Sequence, residues 1–141
     1  MECDYPEKNA SNDEIKEILE NYKTVAVVGL STDPSKPSYR VAEYLKNNGY
    51  KIIPVNPGAK EILGEKSYPD LKSIPEKVEI VDIFRKPEAI PPVVDEAIKI
   101  GAKAVWMQLG LCHTEAAENA RKAGLTVVMN KCIKIDHSML I

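Results

Sequence analysis

At 141 residues with a formal net charge of −2, the chain is long enough to bury a core as one domain, and it carries no global charge that would draw it to nucleic acid or to an acidic membrane. No apolar run approaches the roughly 18–20 residues of a membrane span, and the polar, acidic start MECDYPEKNASNDE is not a signal peptide. Three cysteines, Cys3, Cys112 and Cys132, are too sparse for a disulfide framework and read as thiols of a reducing, cytoplasmic compartment.

Residues 1–10 read as a loose arm. Ser11-Asn12-Asp13-Glu14 is a capping box, in which a hydroxyl and a carboxylate each satisfy a free N–H at a helix start. Ile15, Ile18, Leu19 and Tyr22 then repeat at helical spacing. Thr24–Val28 is a strand apolar on both faces, as central strands of parallel sheets are. Ser38 to Asn48 reads as a helix ended by Gly49, where a left-handed residue is needed. YKIIPV is the second strand. Residues 56–77 break the rhythm with a short strand or hairpin at Ile62–Tyr68 and a helical turn at Asp70–Ile74. Val78–Ile83 is the third strand. Pro91 or Pro92 opens a helix that runs to Ile100 and closes at Gly101. AKAVWM is the fourth strand; Thr114 caps an Ala-rich helix ending at Gly124; LTVVM is the fifth.

Five hydrophobic strands separated by helices imply a doubly wound α/β fold, with right-handed crossovers and a parallel sheet covered on both faces. No internal repeat, low-complexity stretch or second domain is visible. Such folds bind ligands at the carboxyl ends of the strands, where the strand order reverses. That rule selects residues 29–39, 56–60, 84–87, 108–114 and 130–132.

The first of these loops departs from the dinucleotide fingerprint, with Gly29 standing alone where three glycines are usual. Hydroxyls on Ser31, Thr32, Ser35 and Ser38 and the charge of Lys36 suit an anion at a helix N-terminus, and Ser38 also fits a helix N-cap. The Walker pattern is absent. After the second strand comes Val55-Asn56-Pro57-Gly58-Ala59-Lys60, a turn composition with no acid to receive ribose hydroxyls and a lysine close by. That suits a ribose bearing an extra phosphate, as in NADP or coenzyme A.

VAVVGLS…KPSYRVA, YKIIPVNP, EILGEKSYPDL, VDIFR, AVWMQLG and the tail EAAENARKAGLTVVMNKCIKI together resemble the small stand-alone coenzyme A-binding proteins, relatives of the CoA-binding N-terminal domain of the succinyl-CoA synthetase α chain. The resemblance runs from residue 24 to the end and implies a Rossmann-like domain with CoA across the strand ends. It implies that the loop from Gly29 through Leu30, Ser31, Lys36 and Ser38 to Tyr39 contacts the pyrophosphate and pantetheine arm. By the same likeness, Val55, Asn56, Pro57 and Lys60 border the adenosine and its 3′-phosphate, and Phe84 with Arg85 walls the adenine. In the synthetase the phosphorylated histidine lies in the following domain, so binding without ligase chemistry is the expectation.

Gln108 and Gly110 stand where the fourth strand meets its loop: the first can donate to an acyl or pantetheine oxygen, the second can bring backbone close to a ligand. Cys112, beside His113 at a helix start, and Cys132, after the fifth strand, are the candidate nucleophiles or partners of a mixed disulfide with the CoA thiol. Cys112, His113, Cys132 and His137 suit zinc in number but not in spacing. Trp106 reads as core, and Glu79 and Asp82, alternating with apolar residues, are poor general bases. The leading expectation is a CoA- or acyl-CoA-binding module acting as carrier, sensor or subunit, without a metal and with a homodimer or partner subunit as its assembly. The competing class is an enzyme: an NADP-dependent reductase, or a cysteine-dependent CoA-disulfide or acyl-transfer enzyme.

Overall fold

The computed structural model describes residues 8–141. Helix α1 (Asn12–Asn21) starts at the predicted capping box: Ser11 accepts from the Glu14 N–H while the Glu14 carboxylate receives the Ser11 N–H. Strand β1 (Thr24–Val28) leads through a loop to α2 (Pro37–Asn47) and β2 (Lys51–Val55). A small antiparallel ribbon follows, β3 (Glu61–Ile62) and β4 (Glu65–Lys66), and then β5 (Ile80–Ile83). A 3₁₀ turn at Pro87–Ala89 leads directly into α3 (Ile90–Lys99). β6 (Ala104–Met107), α4 (Thr114–Lys122), β7 (Thr126–Val128) and α5 (Ile133–Leu140) complete the described chain.

The five long strands pair in parallel in the order β2-β1-β5-β6-β7, the doubly wound sheet expected. Order reverses between β1 and β5, so their carboxyl ends diverge and open a crevice. Alternating side chains feed two cores. Ala26, Val28, Val81, Ile83, Val105 and Met107 pack beneath α3 and α4. Val25, Val27, Ile52, Ile80, Trp106 and Val128 pack against α1, α2 and α5. Trp106 is fully buried and donates its indole N–H to the Lys131 carbonyl at 2.8 Å.

Local boundaries shift for identifiable reasons. The helix expected to open at Pro91 or Pro92 begins at Ile90, because the preceding 3₁₀ turn already sets its first residues. α4 is capped by His113 rather than Thr114, the imidazole Nδ1 accepting from the Ala116 N–H at 3.1 Å. The segment from Asp70 to Ile74 is a single turn: Asp70 receives the Ser73 N–H and hydroxyl, and Leu71 and Ile74 reach the core. Of the arm expected to be loose, residues 1–7 lie outside the described residues. Asn9 is not loose, since its carboxamide exchanges two 2.9 Å hydrogen bonds with the backbone of Met129.

Asp82 is the anomaly of the sheet. It is wholly buried between Val27 and Trp106, on the face that Ile80 shares, and neither carboxylate oxygen has a hydrogen-bond partner among the described residues. Burial alone pushes its carboxyl well above the ordinary range. The folded chain therefore holds a proton that the unfolded chain releases near pH 4. Its stabilising effect is complete below that pH and is lost as pH rises towards the folded-state value. Within this window, wild type should lose about 1.4 kcal/mol per pH unit relative to Asp82→Asn. Chemical denaturation of both proteins from pH 3.5 upward checks this, and parallel pH profiles would contradict it.

Candidate functional site

Two clefts at the carboxyl ends of the strands border Arg85. The smaller, about 280 Å³, lies between the ends of β1 and β2 and the start of α3; Val28, Val55, Pro57, Leu71 and Val93 form its apolar walls, with Asp70 and Glu96 at its polar edge. The larger, about 550 Å³, lies between α2, the loops after β5 and β6, and α5, and is lined by Pro37, Val41, Phe84, Gln108, Leu111, Cys132 and Ile135 among others. Arg85 lines both. They flank the topological switch point on either side of Arg85.

Gly29 fixes the crevice floor. Its φ is +89°, and a Cβ there would stand 2.3 Å from the carbonyl oxygen of Phe84 and 3.0 Å from Cδ of Arg85. The β1 and β5 loops can touch only because this position has no side chain. Asn56 clasps the neighbouring loop: its Nδ2 donates to the Leu30 carbonyl at 3.0 Å, and its Oδ1 accepts from the Gly58 N–H at 2.8 Å. Leu30 is completely buried, so it meets the crevice through backbone at most. Asn56 is accordingly a scaffold residue whose side chain is already used.

The hydroxyl-rich loop is largely self-bonded. Ser31 accepts from the Asp33 N–H, and Asp33 receives both the N–H and the hydroxyl of Ser35, which holds its carboxyl below the usual range. Ser38 is not the N-cap but the second residue of α2; it is buried and accepts the Ser31 N–H at 3.0 Å. Lys36 occupies the N-cap position and gives no side-chain cap. The first-turn N–H groups of Ser38 and Tyr39 thus have no hydrogen-bond partner among the described residues, which leaves donors and a positive helix end facing outward. Tyr39 itself packs against the core.

The other predicted residues divide by role. Val55 and Pro57 wall the smaller cleft; Phe84 and Gln108 wall the larger. Lys60 is exposed, off either wall, and its side chain, like that of Arg85, has no partner among the described residues. Gly110 adopts a φ of +88° and donates its N–H to the Asn130 Oδ1 at 2.7 Å, and a Cβ there would meet nothing within 4 Å among the described residues. Gln108 is 4 % exposed, and its Oε1 accepts from the N–H of Ile133, the first residue of α5. Its Nε2 donor has no partner among the described residues. Gln108 lines the larger cleft, and its Nε2 is not among the buried unpartnered atoms, so the amide N–H groups are open to an acceptor there.

The candidate chemical groups are dispersed. His137, on α5, shares a 2.8 Å hydrogen bond with the Tyr44 hydroxyl and packs edge-on against Tyr44 and Tyr50; burial and then nearby Lys23 push its imidazole down. His113 is occupied as a helix cap. No group of three potential metal ligands forms among the described residues. Cys112 is disulfide-bonded, so the reading of every cysteine as a thiol fails there, whereas Cys132 is free and half-buried in the larger cleft. The sequence reading also missed α5, which supplies Ile135 to that cleft. Its inward row of Ile133, Asp136, His137 and Leu140 is helically spaced, but two polar members hide the stripe.

Residues 23–138 match the family model described as a CoA binding domain. The chain belongs to this family. The CoA-binding-domain protein is 42 % identical over 132 residues to the uncharacterized protein YneT of Bacillus subtilis, covering 94 % of this chain and 98 % of that one. It is 31 % identical to the acetate–CoA ligase [ADP-forming] II subunit alpha of Pyrococcus furiosus over 82 % of its own length but only 28 % of the subunit. Among solved structures, a hypothetical protein from Pyrococcus horikoshii superposes with a TM-score of 0.92 at 42 % identity, covering 99 % of each chain. The apo dinucleotide-forming acetyl-coenzyme A synthetase 1 of Ca. Korarchaeum cryptofilum gives 0.72 at 30 % identity, over 81 % of this chain and 27 % of that one. The Rossmann-like fold and the relation to ADP-forming ligase α subunits are therefore established for this domain. Among the described residues no helix is long and apolar enough to cross a membrane.

The floor gives a direct test. Gly29→Ala forces backbone apart at Phe84 and strains a left-handed position, and should cost about 2–4 kcal/mol. Asn56→Ala should cost about 1–3 kcal/mol through two lost hydrogen bonds. Denaturant midpoints measure both, and a neutral Gly29→Ala would contradict the close approach described.

Proposed function

We propose that the protein binds coenzyme A or an acyl-CoA as a stand-alone cytoplasmic module, a carrier, sensor or subunit with no ligase chemistry of its own. The observation that carries this reading is the pair of clefts that share Arg85, one small and apolar-walled with acceptor groups, the other larger and lined by the unpartnered Gln108 amide donor. An elongated ligand with a flat base at one end and an amide-bearing arm at the other fits that division.

The adenosine half suits the smaller cleft. Val55, Pro57 and Val93 cover an adenine face, while Asp70 and Glu96 accept from its amino group or from ribose. The pyrophosphate belongs near the uncapped start of α2, where the Ser38 and Tyr39 N–H groups and Lys36 supply positive potential. Lys60 and Arg85 are the cations available to a 3′-phosphate. The pantetheine arm suits the larger cleft, with Gln108 Nε2 donating to an amide or thioester carbonyl. In this arrangement Phe84 borders the arm rather than the adenine, because it lines the larger cleft only.

Isothermal titration calorimetry with CoA, dephospho-CoA, NADP and NAD tests the proposal. CoA should bind with a 1:1 stoichiometry and dephospho-CoA about tenfold more weakly, the equivalent of about 1.4 kcal/mol for one exposed phosphate contact. Arg85→Ala should weaken CoA by about 10–100-fold, in line with a hydrogen bond to a charged group. Binding of NADP with none of CoA would replace this reading with that of a reductase.

A further inference from the structure

We propose that Cys132 is an attachment point at which the larger cleft captures CoA covalently, as a protein–CoA mixed disulfide formed by exchange with a disulfide form of the cofactor. This deepens the CoA-binding proposal and rests on it. Two independent features of one cleft support it. Cys132 is a free thiol at the N-cap position of α5, makes no side-chain capping bond, and lines the cleft. Gln108 lines the same cleft, is 4 % exposed, and keeps its Nε2 donor without a partner while its Oε1 is pinned by the Ile133 N–H, one residue after Cys132.

The rest of the wall explains the choice of ligand. Pro37, Val41, Leu111 and Ile135 offer apolar contact with no acceptor for that donor. A slender, mostly methylene chain with a carbonyl partway along it and a sulfur at its tip satisfies both the walls and Gln108. The pantetheine arm has this chemistry. With its carbonyl on Gln108, the free sulfur end lies in the compartment that holds Cys132. Cys112 is outside this set, since it does not line the cleft and is already disulfide-bonded.

The exchange balances without an external oxidant. The Cys132 thiolate attacks the sulfur of the CoA half seated in the cleft. A bond forms between Sγ and that sulfur as the disulfide bond to the second half breaks. The second half departs with the electron pair as a thiolate and takes up a proton from solvent. A small thiol in excess reverses the reaction by the same route. The seated half would give Cys132 an advantage over any exposed thiol, because positioning turns an encounter into a local reaction.

The experiment incubates the full-length protein with CoA disulfide or, separately, glutathione disulfide, and follows adducts by intact mass and peptide mapping. Calorimetry with reduced CoA runs in parallel on the same preparation. The expected result is one CoA adduct per chain at Cys132, at least about tenfold faster than glutathione transfer, absent in Cys132→Ser and released by dithiothreitol. Gln108→Leu should slow transfer from CoA disulfide more than from glutathione disulfide. If reduced CoA binds but Cys132 gains no adduct, or reacts equally fast with both disulfides, the covalent inference is overturned and the binding proposal stands. If reduced CoA does not bind, the binding proposal falls and this inference with it.

Discussion

Contact between the backbone of Gly29 and the carbonyl of Phe84 sets the geometry of this protein's working end. In a doubly wound sheet the crevice lies where neighbouring strands send their connections to opposite faces. Here those strands are β1 and β5, and their loops meet at Gly29 instead of splaying freely. The close approach lays Arg85 across the floor, so that a single cation serves both compartments. Asn56 then ties the β2 turn to the β1 loop. The site is built on backbone and amide scaffolding, with few side chains to spare.

That economy clarifies what the hydroxyl-rich loop does. Serines that could each meet an anion instead shape the loop: Ser31, Asp33, Ser35 and Ser38 bond among themselves and fix the path into α2. What remains uncommitted is backbone, at the first turn of α2, together with the lysine preceding it. A preformed turn of this kind loses little entropy on meeting a ligand. Gln108 shows the same division within one side chain, its oxygen given to α5 and its nitrogen left over.

The fold was legible because its signals are local and redundant. Runs such as TVAVV and AVWM are apolar on both faces, Gly49 and Gly101 carry the positive φ that ends a helix, and the capping box of α1 needs only four residues. The predicted site segments also fall at the strand ends, since topology alone selects them. What sequence could not distinguish was a polar residue facing a ligand from one facing the protein. Ser38 and Asn56 have the right chemistry and the right address, yet their polar atoms are engaged with neighbouring backbone. α5 escaped for the converse reason: Asp136 and His137 lie on its buried side, so its inward stripe does not look hydrophobic. Residue type reports what a side chain can do, and only packing reports where its partners already are.

The two margins of the sheet have a consequence for how this molecule meets others. Beyond β2, Tyr68 takes the Pro54 carbonyl and gives its own carbonyl to the Asn56 N–H, while Pro54 has no donor to offer. On the far side, the Asn9 carboxamide occupies both backbone groups of Met129, just past β7. Each margin is thereby stoppered by a side chain or a short crossing segment that mimics the next strand. Recruitment of another chain by sheet extension is blocked at these points. The mouth of the larger cleft, bordered by exposed Leu109 and Ile135, is then the apolar surface left open at the strand ends for side-on contact.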